Sequence, residues 1–347
     1  MRRTILRAAE TLLIAAAGGA IFTWAGFPAG LVSGSLLAVA AFALAGRPLL
    51  VPTPLSRVIS VLVGISLGAV TTPETLQGLA AFPVSIALLL VATVVMTAAT
   101  TSYLHLVHGW SWQSALFGAS PGALAQVMVL AAEYRADLRA IAIVHVMRVV
   151  ILTIGIPAGL AYFGLTATGA FLPKSSVGIP SVLELVILVG VSTAAAVLLQ
   201  TIRFPGGLMF GSMLATAVLH GTGIIDAVLP WWVAAFAVIG IGAVTGSRFA
   251  NTDPITLLRY LGAALGSFAV AISIASLFVV VLTTLLPLRI ADVVVAYSPG
   301  AQDTMMVMAL ALHLDPIFIG VHHLSRYMLI SVSIPMLGRW LGPPPRR

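Results

Sequence analysis

Ser120-Pro121-Gly122-Ala123 and Ser298-Pro299-Gly300-Ala301 are the same four residues written twice, 178 positions apart, inside otherwise apolar sequence. The same offset carries Asp137 onto Asp315, His145 onto His323, Arg148 onto Arg326 and Pro157 onto Pro335. Upstream it carries Pro52 onto Pro230, Gly64 onto Gly242 and Gly68 onto Gly246. One residue out of step, Phe27-Pro28-Ala29-Gly30-Leu31 matches Phe204-Pro205-Gly206-Gly207-Leu208. The chain reads as a tandem duplication. Each copy sets a helix-breaking tripeptide and an arginine in hydrophobic surroundings, which predicts one site built by both copies.

Composition fixes the solvent. Of the 347 residues, 60% are hydrophobic and only 8% charged, against about 25% charged in soluble domains. The mean hydropathy is +1.12. Apolar runs recur along the whole length, each able to cross roughly 30 Å of hydrocarbon, and the chain has room for about ten crossings. The expected fold is an all-α polytopic membrane protein. The net charge of +7 comes from basic residues scattered through short loops, the pattern of the positive-inside rule rather than of a nucleic-acid groove. No cysteine is present, which excludes disulfides, thiolate catalysis and Cys-ligated metal.

Crossings are expected near 9–26, 29–46, 54–71, 80–104 and 138–164, with a broken segment at 111–134. The second copy repeats them near 181–202, 206–221, 230–247, 257–286 and 316–340, with its broken segment at 289–312. Residues 1–165 form the first membrane repeat, 166–180 a linker and 181–347 the second repeat. If the broken segments cross, the copies are parallel; if they dip in and return, the copies are inverted. The re-entrant arrangement gathers 13 of the 17 basic residues on one side, with only Lys174 and Arg289 opposite and Arg148 and Arg326 within the membrane. That asymmetry favours two inverted five-helix repeats with a re-entrant or broken helix at each Ser-Pro-Gly tip, in the cytoplasmic membrane, with a cytoplasmic N-terminus.

Helical rise places the polar residues in depth. Ser111 to Ser120 and Leu138 to Arg148 each span roughly 15 Å, half the hydrocarbon thickness. Each tip therefore meets an arginine near the bilayer centre, where irregular backbone is tolerated only inside protein or along a cavity. Ser120 and Ser298 are expected to cap the helices that follow, with Pro121 and Pro299 in their first turns. Gly122 and Gly300 would admit a ligand close to the backbone. Arg148 and Arg326 add planar cations suited to carboxylate or phosphate, and an intramembrane arginine is functional by default. The opposing half-helix ends leave carbonyls that could hold Na⁺. His145 and His323 share a face with these arginines, as proton carriers, orienting groups or packed core histidines. Gln126 and Thr304, one turn past the tips, can hydrogen-bond a ligand. Asp303 is expected at mid-membrane depth, carrying a coupling proton or Na⁺, or neutralising Arg326. His322 reads as packing, and Asp137 and Asp315 as helix caps. The pair His105 and His108 lacks a third ligand nearby.

At these residues the chain resembles the AbrB-type duplicated membrane protein family, over nearly its full length. The resemblance rests on the Phe-Pro-x-Gly turns and on the paired Ser-Pro-Gly, His and Arg sets. Members carry the labels ammonia monooxygenase and membrane regulator of gene expression. They often have Pro-Gly-Gly with a glutamate three residues on. Here Ala123 and Ala301 replace the second glycine, and Gln126 and Thr304 replace the glutamate, which moves attention to Asp303.

Three functions compete. A secondary transporter of a small organic anion follows from opposed tips and intramembrane arginines, with no cofactor beyond a coupling Na⁺ or H⁺, no nucleic acid, and the bilayer and a homo-oligomer as partners. A membrane regulator or sensor acting through a partner follows from the resemblance. An oxygenase would need clustered His or carboxylate ligands, and the seven histidines are scattered. The transporter, not an enzyme, is the reading preferred on the residues.

Overall fold

The computed structural model describes residues 2–70, 82–122, 124–165, 181–250 and 252–340. Among them lie fourteen α-helices and no strand. They are α1 (Arg2–Trp24), α2 (Gly30–Leu44), α3 (Thr53–Gly68), α4 (Phe82–His108), α5 (Trp112–Ala119), α6 (Leu124–Glu133), α7 (Leu138–Tyr162), α8 (Val182–Thr201), α9 (Gly207–Gly221), α10 (Trp231–Gly246), α11 (Pro254–Leu285), α12 (Ile290–Tyr297), α13 (Gln302–Ala311) and α14 (Pro316–Trp340). The expected linker at 166–180 lies outside the described residues. Seven helices are long and apolar enough to cross a bilayer, and α2, α3 and α9 are shorter apolar helices. All-helical structure follows from the solvent: in hydrocarbon every backbone N–H must find its acceptor within the chain, and a helix supplies it locally.

Helix ends obey the same need. At the end of α1, Gly26 takes a left-handed φ of 74°, its N–H reaches Thr23 O at 3.0 Å and that of Phe27 reaches Phe22 O at 2.9 Å. This pair of bonds satisfies the last carbonyls of the helix. The end of α8 repeats it with Arg203, φ 57°, bonded to Gln200 O, and Phe204 bonded to Leu199 O. Asp137 and Asp315 cap α7 and α14 as expected: Asp137 Oδ1 accepts from Arg139 N and Ala140 N, and Asp315 Oδ1 from Ile317 N and Phe318 N.

The chain forms two compact units, each drawn from both halves of the sequence. The first comprises Met1–Ala80, Thr153–Asn251 and Asp303–Gly320. Its helices pack through glycine: α1 on α2, α8 on α9, α3 on α9 and α10 on α2. A Cβ added to Gly64 would strike Ser212 and the Met209 backbone, and one on Gly68 would strike Met213 and Thr216. Gly242 and Gly246 of α10 meet Ser35, Leu36 and Val39 of α2 in the same manner. Backbones approach this closely only where a side chain is missing. Ile65, Leu188, Leu219 and Leu229 fill the space beside them.

The second unit comprises Ala81–Leu152, Thr252–Gln302 and Val321–Arg347. Here α4 packs against α11 and α5, and α11 against α12. Phe117, Val127, Ile141, Ile330 and Ile334 share one apolar cluster, Met96, Ala271 and Ala275 another.

Candidate functional site

Both Ser-Pro-Gly segments interrupt helices. α5 stops at Ala119 and α6 starts at Leu124; α12 stops at Tyr297 and α13 starts at Gln302. The breaks expose carbonyl oxygens at the C-terminal ends of α5 and α12, and the polar side chains of α7 and α14 gather on those oxygens. Arg148 donates from Nη2 to Gly118 O at 3.0 Å. Arg326 donates from Nη2 to Ala296 O at 2.7 Å and from Nη1 to Ser298 O. His145 Nε2 faces Ser120 O at 2.8 Å while its Nδ1 faces Ile141 O at 3.1 Å, and a neutral ring can donate to only one of them. His323 Nε2 donates to Val295 O at 3.1 Å. A cation at a helix C-terminus is favourable because the last carbonyls carry partial negative charge.

The serines act differently from expectation. Ser120 is the C-cap of α5 and its hydroxyl donates back to Leu116 O at 2.7 Å. Ser298 is the C-cap of α12 and donates back to Val295 O at 2.7 Å. Pro121 and Pro299 stand in the breaks, not in a first helical turn. The reason is proximity: the ending helix offers a carbonyl within one turn of the hydroxyl, whereas α6 and α13 begin four residues after the serines. Gly122 adopts φ +92°, and a Cβ there would stand 3.9 Å from Gly300 O, so the two tips adjoin.

Burial sharpens the electrostatics. Arg148 is 2% exposed and Arg326 1%, and neither forms an ion pair among the described residues. Nε of each is buried without a hydrogen-bond partner. An arginine at the centre of a membrane helix costs about 2.5–3.5 kcal/mol, offset only partly here by backbone carbonyls. Of the roles expected for Asp303, neutralising Arg326 is not the one it takes among the described residues. It is 45% exposed and its carboxylate lies 4.0 Å from Arg248, within the first unit. Thr304 is buried on α13 in that unit. Gln126 falls on α6, with its side chain outside the described residues. His105 bonds Trp110 O, and His108 bonds the Tyr103 hydroxyl.

The second tip carries a cluster that the sequence reading passed over. Tyr297 donates to Ser85 O at 2.5 Å, and His322 Nε2 bonds Ser85 Oγ at 2.8 Å. All three side chains are buried, and the His322 ring packs beside those of Phe82 and Tyr297, in keeping with its packing reading. The 178-residue offset sets Tyr297 against Ala119, His322 against Val144 and Ser85 against Ala263. A polar residue facing an apolar counterpart was the signal available.

Long apolar helices, two helices broken beside buried arginines, and glycine-mediated packing define a multi-pass α-helical membrane protein. The chain belongs to the AbrB family: the family described as Transition state regulatory protein AbrB matches residues 31–342. It is 27% identical over 317 residues to the protein called "Putative regulator AbrB" of Escherichia coli (strain K12), covering 91% of this chain and 90% of that one. It is 24% identical over 352 residues to "Uncharacterized protein YhjN" of Bacillus subtilis (strain 168), covering 95% and 92%.

Proposed function

We propose that the chain is a secondary transporter of a small organic anion, not an enzyme, with its site at the two Ser-Pro-Gly tips. The observation that carries this reading is the pair of buried, carboxylate-free arginines, each with an unpartnered Nε, beside adjoining breaks in two helices. Uncompensated charge is expensive in a membrane and is retained where a solute or ion supplies the counter-charge. Ser120, Gly122, His145, Arg148, Ser298, Gly300, His323 and Arg326 belong to one compact unit, as a shared site requires. Gln126, on α6 of the same unit, extends the proposed binding set, whereas Thr304 belongs to the first unit.

The finer architecture belongs to the same proposal. The bounds Thr53–Gly68, Trp112–Ala119, Leu124–Glu133 and Leu138–Tyr162 recur 178 residues on as Trp231–Gly246, Ile290–Tyr297, Gln302–Ala311 and Pro316–Trp340. That spacing, with the one-sided Arg distribution, supports inverted repeats with re-entrant broken segments, in the cytoplasmic membrane with the N-terminus inside. Coupling would use Na⁺ or H⁺, with Asp303 as carrier. A regulator acting through a partner draws support from the family description and from the printed name of one relative.

Uptake of radiolabelled organic anions into proteoliposomes, with and without a Na⁺ or proton gradient, tests transport. Failure of every anion to move, in protein that is folded and inserted, would defeat it. Single cysteines are clean probes in this Cys-free chain. Labelling of positions 57 and 135 from opposite membrane faces would defeat the inverted arrangement.

A further inference from the structure

The arginine pair constrains the charge of what binds. Six of the ten acidic residues are engaged elsewhere. Asp137, Asp253 and Asp315 cap helix N-termini, while Glu10, Asp292 and Asp303 face Arg47, Arg289 and Arg248. No carboxylate among the described residues pairs with Arg148 or Arg326. Helix dipoles do not supply the missing charge. At each break the negative end of α5 or α12 carries only about half an elementary charge, and the positive start of α6 or α13 follows five residues on. Arginine stays protonated under all ordinary conditions. Two positive charges therefore remain beside tips that adjoin.

We infer that the site takes a single dianion, a dicarboxylate or a phosphate dianion, whose two charges are shared between Arg148 and Arg326. This rests on the anion-site reading above and narrows it. One dianion cancels both guanidinium charges and their mutual repulsion together, whereas one monoanion leaves the second cation buried and uncompensated. The unpartnered Nε groups are donors free to meet it, while Nη groups of the same side chains bond Gly118 O, Ala296 O and Ser298 O. Arginine fits the task, since its fork matches carboxylate and phosphate oxygens.

The experiment is calorimetry on the purified full-length protein in lipid nanodiscs. Malonate, succinate and glutarate are each compared with their monoamides, at a pH where both carboxyls ionise, alongside inorganic phosphate. The expected result is that at least one dicarboxylate, or phosphate, binds, and that a bound dicarboxylate exceeds its monoamide by at least about 30-fold, the cost of unpairing one buried charge. Arg148→Gln and Arg326→Gln should each collapse the dicarboxylate-to-monoamide ratio toward unity, while Arg148→Lys and Arg326→Lys should keep a clear preference. Equal affinity of diacid and monoamide for the native protein overturns the dianion and leaves the anion site standing. Absence of binding by every probe, in protein that melts cooperatively, overturns both.

Discussion

Arg148 and Arg326 occupy matched positions, yet removing them should cost different amounts. Arg326→Ala leaves two buried carbonyls, Ala296 O and Ser298 O, without the donor they now have. Arg148→Ala leaves one, Gly118 O. Each orphaned buried acceptor costs about 1–3 kcal/mol. Both substitutions also remove a buried cation, a relief of about 2.5–3.5 kcal/mol, and both lose a side chain that is almost fully enclosed, so these contributions cancel between the two. The difference is one hydrogen bond to a helix end. Arg326→Ala should be less stable than Arg148→Ala by about 1–3 kcal/mol. Thermal and denaturant unfolding in matched detergent, followed by tryptophan fluorescence, reads that gap. Equal stabilities, or Arg148→Ala the weaker, would refute the account of the arginines as holders of the broken helix ends.

Gly64→Ala and Gly246→Ala should each lower stability by about 1–3 kcal/mol, since a Cβ at either strikes neighbouring backbone. Gly190→Ala, with nothing within 4 Å of the added carbon, should be neutral or stabilise by about 0.5–1 kcal/mol, and the three are compared in one unfolding series. Asp303→Asn should abolish gradient-driven uptake while counterflow persists. Full gradient-driven uptake by the variant would reduce Asp303 to its ion pair with Arg248. Hydrogen bonds from Thr256 Oγ1, Thr256 N and Ile255 N hold the Asp253 carboxyl below its ordinary range. Its capping contribution is therefore present above the unfolded carboxylate pKa and fades as the pH falls through the folded value. Hydrogen exchange in the first turn of α11 should be faster in Asp253→Ala at neutral pH, and the difference from native should close in acid; a difference that persists there would count against the cap.

Periodicity, breaks and repeats were legible in the residues. The glycines matched by the 178-residue offset are the ones at which backbones touch, and the broken segments at 111–134 and 289–312 enclose α5–α6 and α12–α13. Direction of bonding was not legible. A serine before proline at a break can serve the helix behind it or the helix ahead, and only the geometry shows that Ser120 and Ser298 serve the one behind. The depth estimate for Asp303 counted residues along the helix, which says nothing of which side of it meets Arg248. Tyr297, Ser85 and His322 were missed because their contacts join residues more than two hundred positions apart, beyond the reach of any local pattern.

The glycine seams also set an order of events during synthesis. Gly64 and Gly68 on α3 are covered by α9, whose Met209 follows Gly64 by 145 residues. At ordinary translation rates of about 5–20 residues per second, the seam stands open for roughly 7–29 s after α3 has left the ribosome. The first half of the chain cannot mature alone: its own third helix waits on a partner not yet made, and α2 waits in turn for α10. The duplication is thus knitted rather than concatenated.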